Sequence, residues 1–132
     1  GIFSEKRNLI VTESDITGNG DGVDLVANVK AWFADNRILE NRGSGFKLTM
    51  DGATFWSKNN SIRRNGREGV EVNSYGEAGE IGFKKASFVD NGRYAVARIA
   101  RSGNGNFGGL FLEKNRYEGN RLGSISNILK IW

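Results

Sequence analysis

Apolar residues in this chain recur in pairs two positions apart, and the pairs themselves recur at a slowly growing spacing. Taking Ile16, Ile38, Ile62, Phe88 and Tyr117 as anchors, the residues seven positions earlier are Leu9, Ala31, Phe55, Ile81 and Leu110; those five earlier are Val11, Phe33, Ser57, Phe83 and Leu112. Two almost wholly apolar columns with one position between them are the alternation of a β-strand with one buried face. A second pair follows each anchor: Val23 and Leu25, Phe46 and Leu48, Val70 and Val72, Val96 and Ile99, Ile125 and Ile128. The last two pairs hold one extra residue, which predicts a bulge or altered register near Arg98 and Asn127. The anchor predicts a third, shorter strand. The opening stretch reads as a lead-in plus a first strand, Leu9-Ile10-Val11. Helical spacing is sustained nowhere.

Three positions after each anchor stands an asparagine: Asn19, Asn41, Asn65, Asn91 and Asn120, which by subtraction lie 22, 24, 26 and 29 residues apart. A period in that range, with strand-like wording inside each unit, predicts a solenoid whose units complete one another's core. Three short strands cannot close a sheet within one unit but can stack on the units above and below, rising about 4.8 Å per coil, so about five coils make a stub roughly 25 Å long. The prediction is an all-β parallel β-helix of about five coils of 22–29 residues, one domain over residues 1–132 that is a mature product or a piece of something longer.

A second column, two before each anchor, reads Ser14, Asn36, Asn60, Ala86 and Asn115. Stacked amides can bond both their own corner and the next coil, so both columns are expected to be structural, with a gap at Ala86. From the last strand residue to the next anchor the count grows through 13, 14, 16 and 18 (Leu25 to Ile38, Leu48 to Ile62, Val72 to Phe88, Ile99 to Tyr117). The insertion therefore falls at one corner and predicts two protruding loops, residues 73–80 with Tyr75 and residues 100–109 with Arg101. Such loops either carry binding or are simply tolerated there. The glycine string in the second does not open a helix and is no dinucleotide site.

Composition narrows the chemistry. Without Cys or His there are no disulfides, no thiolate or imidazole metal ligands and no histidine base, and no cofactor or metal is expected. Without Pro, glycine and asparagine must turn the corners. No apolar run is long enough to span a membrane. A net charge of +4 favours an anionic partner only mildly, and Asp35, Glu40, Glu68 and Asp90 interrupt the basic field, against nucleic acid.

The phrase Asn-x-Ile-x-x-Asn-x-x-x-Gly, followed by two alternating apolar residues, occurs at 36–48 and 60–72. It resembles the repeat of right-handed parallel β-helix proteins, a group including pectate lyases, polygalacturonases, mannuronan epimerases and phage tailspikes. The resemblance implies the right-handed single-stranded parallel β-helix, an extracellular or cell-surface setting in bacteria or phage, and polysaccharides as partners. It does not carry over a catalytic motif: Asp-Pro-His, adjacent Asp-Asp and Gly-His-Gly are all missing.

Three outward columns are candidates for function. Six before the anchors stand Ile10, Trp32, Trp56, Gly82 and Phe111; Trp32 and Trp56 on adjacent coils predict a flat aromatic strip suited to sugar faces, or an interface to another domain or copy. On the strand after the asparagines run Asp24, Lys47, Glu71 and then Ala97 or Arg98: a salt-bridged ladder, or a weak catalytic set of Asp24, Glu71 and Arg98. Arg42, Arg67, Arg93 and Arg121, one per coil, could hold carboxylates or sulfates bidentately or merely solvate that corner. The leading expectation is a non-catalytic module that binds an acidic polysaccharide through Trp32, Trp56, Phe111 and the arginines. The alternatives are a fragment of a lyase, hydrolase or epimerase, and a structural spacer or oligomeric fibre segment joined through the aromatic strip or the open ends.

Overall fold

Every alternating segment becomes a strand, and every third strand stacks on its counterpart one coil earlier. The computed structural model describes residues 1–74, 80–98 and 109–126. In chain order, β1 (Ile2–Glu5), β2 (Leu9–Thr12) and β3 (Asp15–Thr17) make the first coil; β4 (Val23–Ala27), β5 (Lys30–Ala34) and β6 (Arg37–Leu39) the second; β7 (Phe46–Met50), β8 (Thr54–Lys58) and β9 (Ser61–Arg63) the third. β10 (Val70–Ser74), β11 (Glu80–Lys84) and β12 (Ser87–Val89) form the fourth, β13 (Tyr94–Arg98), β14 (Gly109–Glu113) and β15 (Arg116–Glu118) the fifth, and β16 (Gly123–Ile125) opens another. Pairing is parallel throughout: sheet A is β1-β4-β7-β10-β13-β16, sheet B β2-β5-β8-β11-β14, and sheet C β3-β6-β9-β12-β15. Six strands in one sheet and five in the others make the coil count differ slightly from five.

Two expectations of register are corrected. The lead-in is itself a strand, Ile2 pairing Val23 and Ser4 pairing Leu25, because its inward positions alternate as theirs do. β13 carries no bulge: Val70, Glu71 and Val72 face Val96, Ala97 and Arg98 in step. Pairing Val96 with Ile99 on apolarity alone would break that hydrogen-bonded register, and the backbone ladder prevails. Ile99 and Asn127 lie outside the described residues.

Between the sheets, inward side chains form one core. Phe46 of sheet A meets Phe33 and Phe55 of sheet B edge-on, with ring centres 5.3 and 5.2 Å apart, while Phe88 of sheet C stacks on Tyr117 at 5.3 Å. Each fully buried phenylalanine contributes about 1.5–3 kcal/mol. Sheets A and B thus meet across the core through these rings.

At the B–C corner one residue per coil is left-handed, Glu13, Asp35, Asn59, Lys85 and Lys114 with φ of 50–58°; at the C–A corner Gly18, Glu40, Arg64, Asp90 and Gly119 do the same. The left-handed residue folds the chain sharply and delivers the next residue, a member of an asparagine column, inward. For a non-glycine residue this costs roughly 1–2 kcal/mol. The amides offset that cost. The Asn41, Asn65 and Asn91 N–H groups donate to the side-chain oxygens of Asn65, Asn91 and Asn120 at 3.2, 3.1 and 3.1 Å. The side-chain amides of Asn41, Asn65, Asn91 and Asn120 donate back to the carbonyls of Ile16, Ile38, Ile62 and Phe88. Each side chain therefore satisfies corner groups of the preceding coil, as the repeat predicts. The other column does likewise, Asn36 N–H reaching Asn60 Oδ1 at 2.9 Å, and breaks at Ala86. Among the described residues no helix is long and apolar enough to cross a membrane.

Candidate functional site

Sheet B presents its outer face through the middle residue of each strand. Ile10, Trp32, Trp56, Gly82 and Phe111 stand side by side in register, as counted from the anchors. Ile10 is 77% exposed, Trp32 41%, Trp56 36% and Phe111 37%. This leaves a row of large apolar side chains open to solvent on one sheet face.

The file is not the flat two-tryptophan strip that the spacing predicts. Gly82 has no side chain, and the Trp56 indole lies over it: a Cβ there would come within 2.1 Å of Cε3 and Cζ3. The ring thereby reaches Phe111, two coils on, and stacks on it at 5.7 Å and 24°. Trp32 flanks this stacked pair on the preceding coil.

Period-two counting also places cations on this face. Lys30 lies two residues before Trp32, Lys58 two after Trp56 and Lys84 two after Gly82, all exposed. The Lys84 ammonium is 3.8 Å from Glu113, whereas Lys30 and Lys58 have no ion pair among the described residues. The corner arginines drew the sequence reading and these lysines did not, although the alternation that locates the tryptophans locates them too. A shallow depression of about 510 Å³, lined by Asn8, Ile10, Lys30, Trp32, Thr54 and Trp56 among others, occupies one side of the tryptophans. A smaller one of about 110 Å³, bounded by Lys58, Lys84, Phe111 and Glu113, occupies the other, and both tryptophans line each.

On sheet A, Asp24, Lys47, Glu71 and Ala97 stand in register, so the fourth position belongs to Ala97, and Arg98 falls beside Val72. The Arg98 side chain lies outside the described residues. Glu71 is only 3% exposed, accepting from the Ser44 hydroxyl at 3.0 Å and from the Asn73 amide at 3.5 Å. Glu68 is fully buried and takes the Arg93 Nε on both oxygens, at 3.0 and 3.1 Å. Burial pushes the Glu68 carboxyl above the ordinary range, against the pull of Arg93 and Arg67. Burial likewise raises Asp24; Lys47 opposes this, and the charges of Asp21 and Glu71 add to it. Lys47 acts there through its field, with no direct ion pair among the described residues. Asp24 Oδ1 and Asn73 Oδ1 are buried without a hydrogen-bond partner. Among the described residues no group of three carboxylates is placed to hold a metal ion.

The arginines do not form one ladder. Gly66, not Arg67, sits on Arg42, since a Cβ at Gly66 would meet the Arg42 carbonyl oxygen at 2.2 Å. Arg67 and Arg93 fall one residue further along the corner, because an Asn-Gly-Arg order replaces Asn-Arg there. Arg93 is engaged with Glu68, and Arg42 donates to the Gly18 carbonyl at 3.1 Å. All of them lie between sheets C and A, across the coil from the tryptophans, so the two sets do not meet in one site. Tyr75 and Arg101 lie outside the described residues.

Parallel three-stranded coils stacked through asparagine-filled corners define a β-solenoid. The chain belongs to the right-handed β-helix family: the family described as right handed beta helix region matches residues 1–111. No match was found among curated proteins or among solved structures.

Proposed function

We propose that this chain is a carbohydrate-associated β-helix module that holds an acidic polysaccharide on the outer face of sheet B. Trp32, Trp56 and Phe111 receive the apolar faces of sugar rings, and Lys30, Lys58 and Lys84 meet the acidic groups. The observation that carries this reading is the exposed aromatic file with lysines at both of its margins. Rings offer C–H-facing area and, in tryptophan, an N–H at the rim. The reading assigns no reaction to this segment, and it replaces the arginines of the C–A corner by lysines on the same face as the rings. It places the protein where polysaccharides are met, at or outside the cell surface.

Affinity electrophoresis through gels containing polygalacturonate, alginate or a neutral glucan tests it. The wild-type chain should be retarded by the acidic polymers, and Trp32→Ala or Trp56→Ala should weaken that retardation about tenfold, the loss of one stacked ring and its buried area. Retardation unchanged in both variants would remove the platform.

A further inference from the structure

The left-handed residue at the B–C corner is exposed in every coil: Glu13, Asp35, Asn59, Lys85 and Lys114. These five stand in one file, because the N–H groups of Glu13, Asp35, Asn59 and Lys85 donate to Ala34, Lys58, Lys84 and Glu113, each the residue before the next member. The file runs from two acids through a neutral amide to two bases. Like charge therefore stacks on like at a coil spacing of about 4.8 Å, an unfavourable order within one molecule. Elsewhere ion pairs join neighbouring coils, as Arg37 does with Asp15 at 2.6 Å and Arg64 with Glu40 at 3.1 Å. Among the described residues Glu13, Asp35, Lys85 and Lys114 have no ion pair, and Asp35 accepts from the Asn59 amide at 2.7 Å.

That order of signs is complementary to its own reverse. We propose that the B–C corner is a self-association surface, on which a second copy of this chain docks antiparallel about a twofold axis through Asn59. Glu13 then meets Lys114 of the second copy and Asp35 meets Lys85, and symmetry repeats both contacts on the other side of the axis. A parallel pair would set acid against acid and base against base. Two residues further along each coil, the first and last members of the neighbouring file, Asp15 and Arg116, exchange onto each other in the same way. Lys58, at the margin of sheet B, meets its own copy and is the like-charged contact beside the axis. A corner ridge buries little apolar surface, so the pair is weak, held by charge and sensitive to salt. It uses none of the aromatic file and stands or falls apart from the carbohydrate reading.

Sedimentation velocity at about 20 mM and about 500 mM salt tests it, since the higher concentration screens charges beyond a few ångströms. A dimer present at low salt should dissociate at high salt. Lys85→Glu turns both Asp35 contacts repulsive and should weaken the dimer about tenfold or more. The acidic variant Lys85→Glu with Lys114→Glu and the basic variant Glu13→Lys with Asp35→Lys should each be monomeric, and an equimolar mixture of the two should pair again. The file already holds both signs at φ of 50–58°, so these exchanges add no backbone strain and far-ultraviolet circular dichroism should match the wild type. Because the chain has no cysteine, Asn59→Cys supplies a single thiol at the axis, and a short bismaleimide should link two copies through it. A monomer at both salt concentrations overturns the proposal. A dimer indifferent to salt or to the charge exchanges, or acidic and basic variants that stay apart when mixed, places any association on another surface and overturns it equally. A dimer that Asn59→Cys fails to cross-link overturns the antiparallel register.

Discussion

Trp56 rests on Gly82: its six-membered ring occupies the space where any other residue at 82 would carry a Cβ, 2.1 Å from two ring carbons. A glycine in a strand interior usually weakens the strand, and here it seats an aromatic ring. Gly82→Ala should therefore leave the fold intact but lift the indole off Phe111, forfeiting about 0.5–1.5 kcal/mol of ring stacking. Near-ultraviolet circular dichroism reads the change directly, with the far-ultraviolet spectrum held constant. An unaltered near-ultraviolet signal would mean that the stack at 5.7 Å does not order the ring.

Ala86 interrupts an otherwise continuous file of amides. An asparagine there would accept from Asn60 N–H and donate to the Ser57 carbonyl, as Asn60 does toward Asn36 and Phe33 one coil earlier. Ala86→Asn should raise stability by about 1 kcal/mol, the net value of an added hydrogen bond in a buried corner. Urea unfolding should show a higher midpoint at unchanged slope. A lower midpoint would mean that the space between Asn60 and Asn115 is too tight for the amide.

The opposite experiment uses the unbroken file. Asn65 has no solvent exposure; its amide donates to Ile38 O and Asn91 Oδ1, and its oxygen accepts from Asn41. Asn65→Ala strands the Asn41 N–H and the Ile38 carbonyl together, at about 1–3 kcal/mol each. A total loss on the order of 3 kcal/mol or more should appear in urea titration. A loss under about 1 kcal/mol would show that the corners are held by the backbone ladder alone.

Glu68 should impose a pH dependence opposite to that of an ordinary surface carboxylate. Its folded-state pKa is raised above the usual 4.5, chiefly by burial. Between the unfolded value and the raised one, the folded state binds more protons, so stability falls as pH rises through that window and is flat above it. Glu68→Gln removes the titration. The stability of wild type minus that of the variant should therefore decline as pH is raised from about 4.5 toward neutrality. A difference constant across that range would show that Arg93 holds the carboxylate charged throughout.

Much of this was readable from residue order. A strand's side chains alternate whatever it packs against, and a stacked coil must place equivalent residues in line, so Trp32 and Trp56, Asn41 and Asn65, and Asp24 and Glu71 could be assigned to their files by counting. Lys30 and Lys58 were equally accessible to that count, each standing two residues from a tryptophan on the same strand face.

What counting does not reach is the direction a side chain takes once it leaves its file, or where a corner shifts by one residue. Trp56 leans on Phe111 because Gly82 leaves the room; Arg67 fails to stack on Arg42 because arginine and glycine exchange places between the two corners; Glu71 is closed off by Ser44 and Asn73 although its strand position points outward. The sequence by itself determined the coil, its asparagine corners and the membership of each column, since these follow from local periodicity and the need to satisfy backbone groups. Only the tertiary structure decided which columns form open surfaces and which are sealed, because burial depends on what neighbouring coils leave empty.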